Sequence, residues 1–212
     1  GPSMPITKTS NYFLDNKEVD KTEVDYELKL EGNFIHIDLK RDSIYGDTLI
    51  NFYFFSTNEK YIHYGNKNNI ALGKILEFDD VMDAYADSSF VRDSFASNGI
   101  VPNWYINYAE SKFNEIFGIN SSNKSLNTIL HKDYLAGPNW HVLFMAPMMM
   151  WGWNDEVSAF TPIGLHGVTV LYDKMFFRKP LATITSWGFH RVQLYWGGLI
   201  YLNDRTSSLL CF

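Results

Sequence analysis

Three observations predict an α+β fold. Residues 22–75 alternate apolar and polar side chains with the period of half-buried strands, and residues 76–135 repeat apolar side chains at helical spacing. Residues 139–212 then return to short β-branched and aromatic runs punctuated by glycine and proline. The order β, then α, then β predicts an N-terminal antiparallel meander, a short helical middle and a C-terminal antiparallel β region. With 212 residues, of which 17% are aromatic and 20% charged, the chain has ample material for a core.

Gly1, Pro2 and Ser3 read as a cleavage scar, so the natural start is expected at Met4. The remainder divides into a β-rich region (4–75), a helical region (76–137) and an aromatic β-rich region (138–212), expected to form one compact unit.

In the first region, 24–30 alternates, and 31–33 reads as a hairpin turn into 34–40. That next strand places Ile35, Ile37 and Leu39 on one face and His36, Asp38 and Lys40 on the other. Residues 49–55, β-branched and aromatic, read as a central strand, and 61–64 as one more strand after a turn at 57–59.

In the second region, Phe78, Val81, Met82 and Tyr85 share a helix face, and carboxylates crowd the first turns. A second helix is expected to start with Asn103 as its cap and to stop at Gly118, burying Tyr105, Tyr108, Ala109, Ile116 and Phe117. Ser125, Leu126, Ile129 and Leu130 predict a short third helix. Strands are then expected at 140–145, 167–172, 181–187, 191–196 and 199–202.

No run of apolar residues is long enough for a transmembrane helix, and the first residues lack an apolar signal core. The one cysteine, Cys211, allows no internal disulfide and no cysteine metal cluster; a buried thiol at a strand end in a cytoplasmic protein is the expectation. The net charge of −6 is unevenly spread: residues 1–137 hold 13 basic and 20 acidic residues, a balance of −7, and residues 138–212 hold 5 and 4, a balance of +1. An acidic surface repels phosphate backbones and disfavours nucleic acid as a partner.

Motifs that carry chemistry are thin. The chain has no paired-histidine zinc motif, no nucleophile elbow and no glycine-rich phosphate cradle, so neither a metal nor a cofactor is expected. His36 and Asp38 share a strand face and could act as a base with its orienter, but Lys40 on the same face favours a solvated surface. His131 is expected at a helix end. Asp79, Asp83 and Asp87 step by four, a spacing that suits a divalent cation but suits a solvated acidic face better.

The strongest binding candidate is the apolar run 140–153. Within it, Met148, Met149, Met150, Trp151 and Trp153 combine adaptable thioethers with aromatic anchors. Such a run is either core or a docking patch. Lys174, Arg178, Lys179, His190 and Arg191 form a loose basic set that could line an anion-binding rim if their segments are loops.

Residues 163–173, 180–187, 192–196 and 208–211 together resemble the C-terminal PH/PTB-like lobe of FERM domains, as found in myosin tails. The resemblance rests on the glycine-valine strand ending Leu171, Tyr172, Asp173, on Ile184 and Trp187, and on the aromatic strand with Tyr195 and Trp196. It implies a docking module without catalysis, with the helical region as the middle lobe, and it assigns no ligand residues. The sequence therefore predicts a non-enzymatic protein–protein interaction or assembly module, binding another protein or itself. A self-assembling viral or phage structural or accessory protein and a hydrolase with a spatially assembled Asp/His site are the alternatives.

Overall fold

The computed structural model describes residues 8–27, 34–41, 48–98, 103–118, 127–131, 140–142, 145–147, 159–163, 168–174, 178–186, 192–193 and 208–211. The fold is α+β. Its chain order is β1 (Lys8–Leu14), β2 (Lys17–Val19), α1 (Lys21–Glu27), β3 (Phe34–Arg41), β4 (Thr48–Phe55), α2 (Asn58–Lys67), α3 (Leu72–Ala86), α4 (Ser89–Asn98) and α5 (Asn103–Phe117). There follow β5 (Asn127–His131), β6 (Trp140–Val142), β7 (Met145–Pro147), β8 (Ala159–Ile163), β9 (Val168–Lys174), β10 (Arg178–Ser186), β11 (Val192–Gln193) and β12 (Ser208–Cys211).

Strands from both ends of the chain share one eight-stranded mixed sheet, in the order β2-β1-β4-β3-β10-β9-β12-β7. Two pairs are parallel, β1 with β4 and β3 with β10; the other pairs are antiparallel. A second, four-stranded sheet runs β11-β8-β5-β6, antiparallel throughout.

The β1–β2 hairpin turns on Asp15 and Asn16, both at positive φ (49° and 68°), the two-residue geometry that matches strand twist and favours Asx residues. The Asp15 carboxylate then ties the turn to the end of β4. It accepts from the Ser56 backbone N–H (2.9 Å), the Ser56 hydroxyl (2.7 Å) and Lys60 Nζ (3.1 Å). Partial burial alone pushes the Asp15 carboxyl up, but the Ser56 and Lys60 contacts outweigh it and hold the group below its usual range.

Both faces of the large sheet are buried in its middle. One face presents Ile35, Ile37, Ile50, Phe52, Phe54 and Ile184. The other lies under α2 and α3: Tyr61 of α2 packs edge-on against Phe55 at 5.7 Å, and Tyr64 lies 4.8 Å from Tyr53. Burial on both faces explains why β4 reads as a continuous apolar run rather than a clean alternation.

Helix α3 buries Leu72, Ile75, Phe78, Met82 and Ala86, and α5 buries Tyr105, Ala109, Phe113 and Phe117. Phe78 and Phe113 meet edge to face at 6.1 Å across the two helices. Gly118 ends α5 as expected, at φ 66° with its N–H donating to Asn114 O at 2.9 Å. Gly65 marks a close approach: a Cβ there would sit 2.6 Å from Ile70 O and 2.8 Å from Leu72 Cβ, so α2 and α3 can turn against each other only over a glycine.

The N-terminal strands do not form the expected antiparallel meander: α1 separates β2 from β3, and β1 lies parallel to β4. Three elements also differ from the expectation. The alternating residues from Val24 to Glu27 belong to a helix, not a strand; Asp20 O accepts from Glu23 N–H at 3.0 Å in its first turn, and Val24 is fully buried. Tyr61 to Tyr64 is helical too. Thr57 caps that helix by accepting from Lys60 N–H at 3.2 Å, which makes the apparent turn at 57–59 a helix start. Residues 127–131 form strand β5 between β6 and β8 instead of a helix, since a short apolar run with β-branched Thr128 and Ile129 takes the form its partners offer. The expected hairpin turn at 31–33 and the expected strand at 199–202 lie outside the described residues.

Candidate functional site

Two polar rows cross the sheet beneath α2. Register pairs Asn11 with Asn51, Asn51 with Asp38, and Asp38 with Thr185, so these four share a row across β1, β4, β3 and β10. The next row carries Phe13, Tyr53, His36 and Thr183. Asn11 donates to Asn51 Oδ1 at 3.1 Å. His36, expected on a solvated face, is fully buried, and Asp38 is 8% exposed. The correction has a physical cause: α2 covers this face, and threonines on β10 supply the hydrogen bonds that water would have made.

His36 Nδ1 lies 2.9 Å from Thr183 Oγ1 and Nε2 lies 3.1 Å from Thr185 Oγ1. Tyr61 donates its hydroxyl proton to Thr183 Oγ1 at 3.1 Å, and Thr185 Oγ1 reaches Asp38 Oδ1 at a long 3.5 Å. The Thr183 hydroxyl also reaches Ile35 O at 3.3 Å, so its single proton is shared between that carbonyl and the His36 ring, and the direction of the two His36 bonds follows the imidazole tautomer. The contacts link Tyr61, Thr183, His36, Thr185 and Asp38.

Burial drives the His36 pKa down to about 3. A sealed, neutral imidazole of that basicity is poorly suited to general-base work near pH 7. Tyr61 is pushed up by burial, against the pull of its bond to Thr183, and Tyr64 is pushed up by burial, then by neighbouring Tyr53 and the Asp38 charge. Tyr172, fully buried, is raised by burial and by Asp79 and Tyr61. These groups stay protonated, and Tyr61 donates to Thr183. The network joins α2 to strands that lie about 150 residues apart in sequence, and a register slip by one residue would bury these polar groups without partners.

The helical layer presents the opposite feature. Among the described residues, Phe90 of α4 is the one large hydrophobic side chain that is exposed, at 63%. Its ring meets Trp104 of α5 at 4.9 Å. Trp104 meets Tyr85 of α3 edge-on at 6.3 Å, and Tyr85 stacks on Tyr108 at 3.6 Å. Lys112 Nζ sits 5.7 Å over the Tyr108 ring and is held at 3.2 Å by Glu115.

Four rings from three helices thus form a connected wall, partly buried at Trp104, Tyr85 and Tyr108 and open at Phe90. Ser88 fixes the corner from which Phe90 projects: its hydroxyl donates to Tyr85 O at 2.7 Å and accepts from Val91 N–H at 3.4 Å. Sequence reasoning took Tyr85 and Tyr108 as core and passed over Phe90 and Trp104. The available signal was width: Trp104 and Tyr108 flank the Tyr105, Ala109, Phe113 stripe, making α5 more apolar than one buried face requires.

Of the residues singled out from sequence, Met148, Met149, Met150, Trp151 and Trp153 lie outside the described residues, as do His190 and Arg191. Lys174 and Arg178 are register partners where β9 passes to β10, and Lys179 follows in β10; these are strand positions, not the loops that an anion-binding rim required. His131 ends strand β5, not a helix, and Cys211 ends β12, the strand-end position expected of it. His63 is exposed on α2. Asp83 and Asp87 are exposed and Asp79 half-buried, and no group of three or more metal-ligating side chains occurs among the described residues. No described helix is long and apolar enough to cross a membrane. No family model matches the chain, no curated protein matches it, and no solved structure matches it.

Proposed function

We propose that this chain is a non-enzymatic protein-interaction or assembly module, and that the aromatic wall on α3, α4 and α5 is its docking surface. The observation that carries the reading is Phe90, a large ring exposed at one end of a four-ring wall. An aromatic side chain left in water loses the stabilisation that burial would give it, on the order of 2 kcal/mol. Wide, rigid aromatic surfaces of this kind are favoured anchors at protein interfaces. The resemblance of the C-terminal strands to a FERM lobe supports the same class of function. The hydrolase alternative has an Asp/His pair linked through Thr185, but His36 is sealed from any substrate, which favours docking.

Absolute mass by light scattering over a concentration series, on the wild type and on Phe90→Glu, tests the self-assembling form of this reading. Self-assembly predicts a mass above 24.5 kDa that grows with concentration and returns to 24.5 kDa in the variant. A 24.5 kDa monomer throughout would rule self-assembly out and leave a different protein as the partner.

A further inference from the structure

We propose, building on the docking reading above, that the wall of Phe90, Trp104, Tyr85 and Tyr108 seats an arginine-bearing basic segment of a partner protein. The first support is charge. Between positions 72 and 117 the sequence holds eight carboxylates against three cations, a balance of −5 out of a net −6. Glu77, Asp80, Asp83, Asp87, Asp93 and Glu115 are all exposed. A field of that sign draws cationic partners and repels anionic ones, membranes and nucleic acids included.

The second support is that the layer already uses this recognition internally. Lys112 is held between the Tyr108 ring and the Glu115 carboxylate. At the other end of the wall the Phe90 ring, 63% exposed, offers the same kind of aromatic face to a cation from outside. A guanidinium suits such a seat better than an ammonium. It is planar, stacks on rings, sheds water more readily and can bond a carboxylate through two N–H groups.

The experiment uses the full chain and three labelled short peptides, read by fluorescence anisotropy: one alternating arginine and glycine, one alternating lysine and glycine, and one alternating glutamate and leucine. The arginine peptide should bind, and the lysine peptide more weakly. Phe90→Ala, which keeps every charge, should weaken the arginine peptide about tenfold, the scale of a desolvated cation–π contact. Trp104→Phe, which also keeps every charge, should weaken it less. Circular dichroism on each variant checks folding, and Trp104→Phe serves as the second probe if Phe90→Ala is perturbed.

Arginine-peptide binding that is unchanged in Phe90→Ala would be attraction to net charge alone and would overturn the proposal. Binding of the acidic, leucine-bearing peptide that depends on Phe90 would also overturn it while keeping the wall as a docking surface. No binding by any of the three would refute the arginine seat, with self-association still open to light scattering.

Discussion

The large sheet encloses a histidine, a carboxylate, an asparagine and a threonine beneath α2, whereas the helical layer leaves a phenylalanine in water. Each placement costs stability by itself. Buried polar groups must replace every bond to water, and an exposed ring forgoes the gain of burial. In the sheet the cost is met internally, because Tyr61, Thr183, His36, Thr185 and Asp38 share hydrogen bonds along one line. On the helices Phe90 meets Trp104 yet stays 63% exposed. Polarity inside, once satisfied, fixes register; apolarity outside is what the proposed docking role rests on.

His36 carries the greatest expected loss of stability. His36→Ala removes the centre of the chain and leaves Thr183 and Thr185 facing a cavity, so urea denaturation should show a loss of about 3–5 kcal/mol. A loss under about 1 kcal/mol would mean that the buried row does not hold the sheet together. Next comes the corner that seats the helices on the sheet. Gly65→Ala drives a methyl group to 2.6 Å from Ile70 O, and overpacking of that kind should cost about 1–3 kcal/mol in the same assay.

Acid should weaken the sheet through His36. Its folded pKa of about 3 lies below the ordinary value of 6.5, so between these values the unfolded chain binds the proton and the folded chain does not. Stability from this group is full above pH 6.5 and is lost as pH falls towards 3, at about 1.4 kcal/mol per pH unit. Between pH 7.5 and pH 5 the expected loss is about 2 kcal/mol. His36→Asn should flatten that part of the profile, while the other histidines continue to titrate in both proteins.

Much of the architecture was legible because its signals are local. Alternation in β3, the aromatic density of β4, and Asn103 and Gly118 bounding α5 all act within a few residues. What was not legible depends on distant partners. Residues 127–131 pair with β6 and β8, and that pairing decides strand over helix. The burial of His36 depends on Thr183 and Thr185, 147 and 149 residues further along, and on a helix that the sequence disguised as a strand. The Phe90 wall needs three helices to converge, so no single-helix pattern reveals it. Its one sequence trace is the surplus of aromatic residues on α5.

Stability and arginine-peptide affinity, determined side by side on Phe90→Ala, separate a docking residue from a core residue. A docking residue predicts stability within about 0.5 kcal/mol of wild type and affinity down about tenfold. A stability loss of about 2 kcal/mol with affinity unchanged would instead make Phe90 part of the core, and the contrast between the two regions would fall with it.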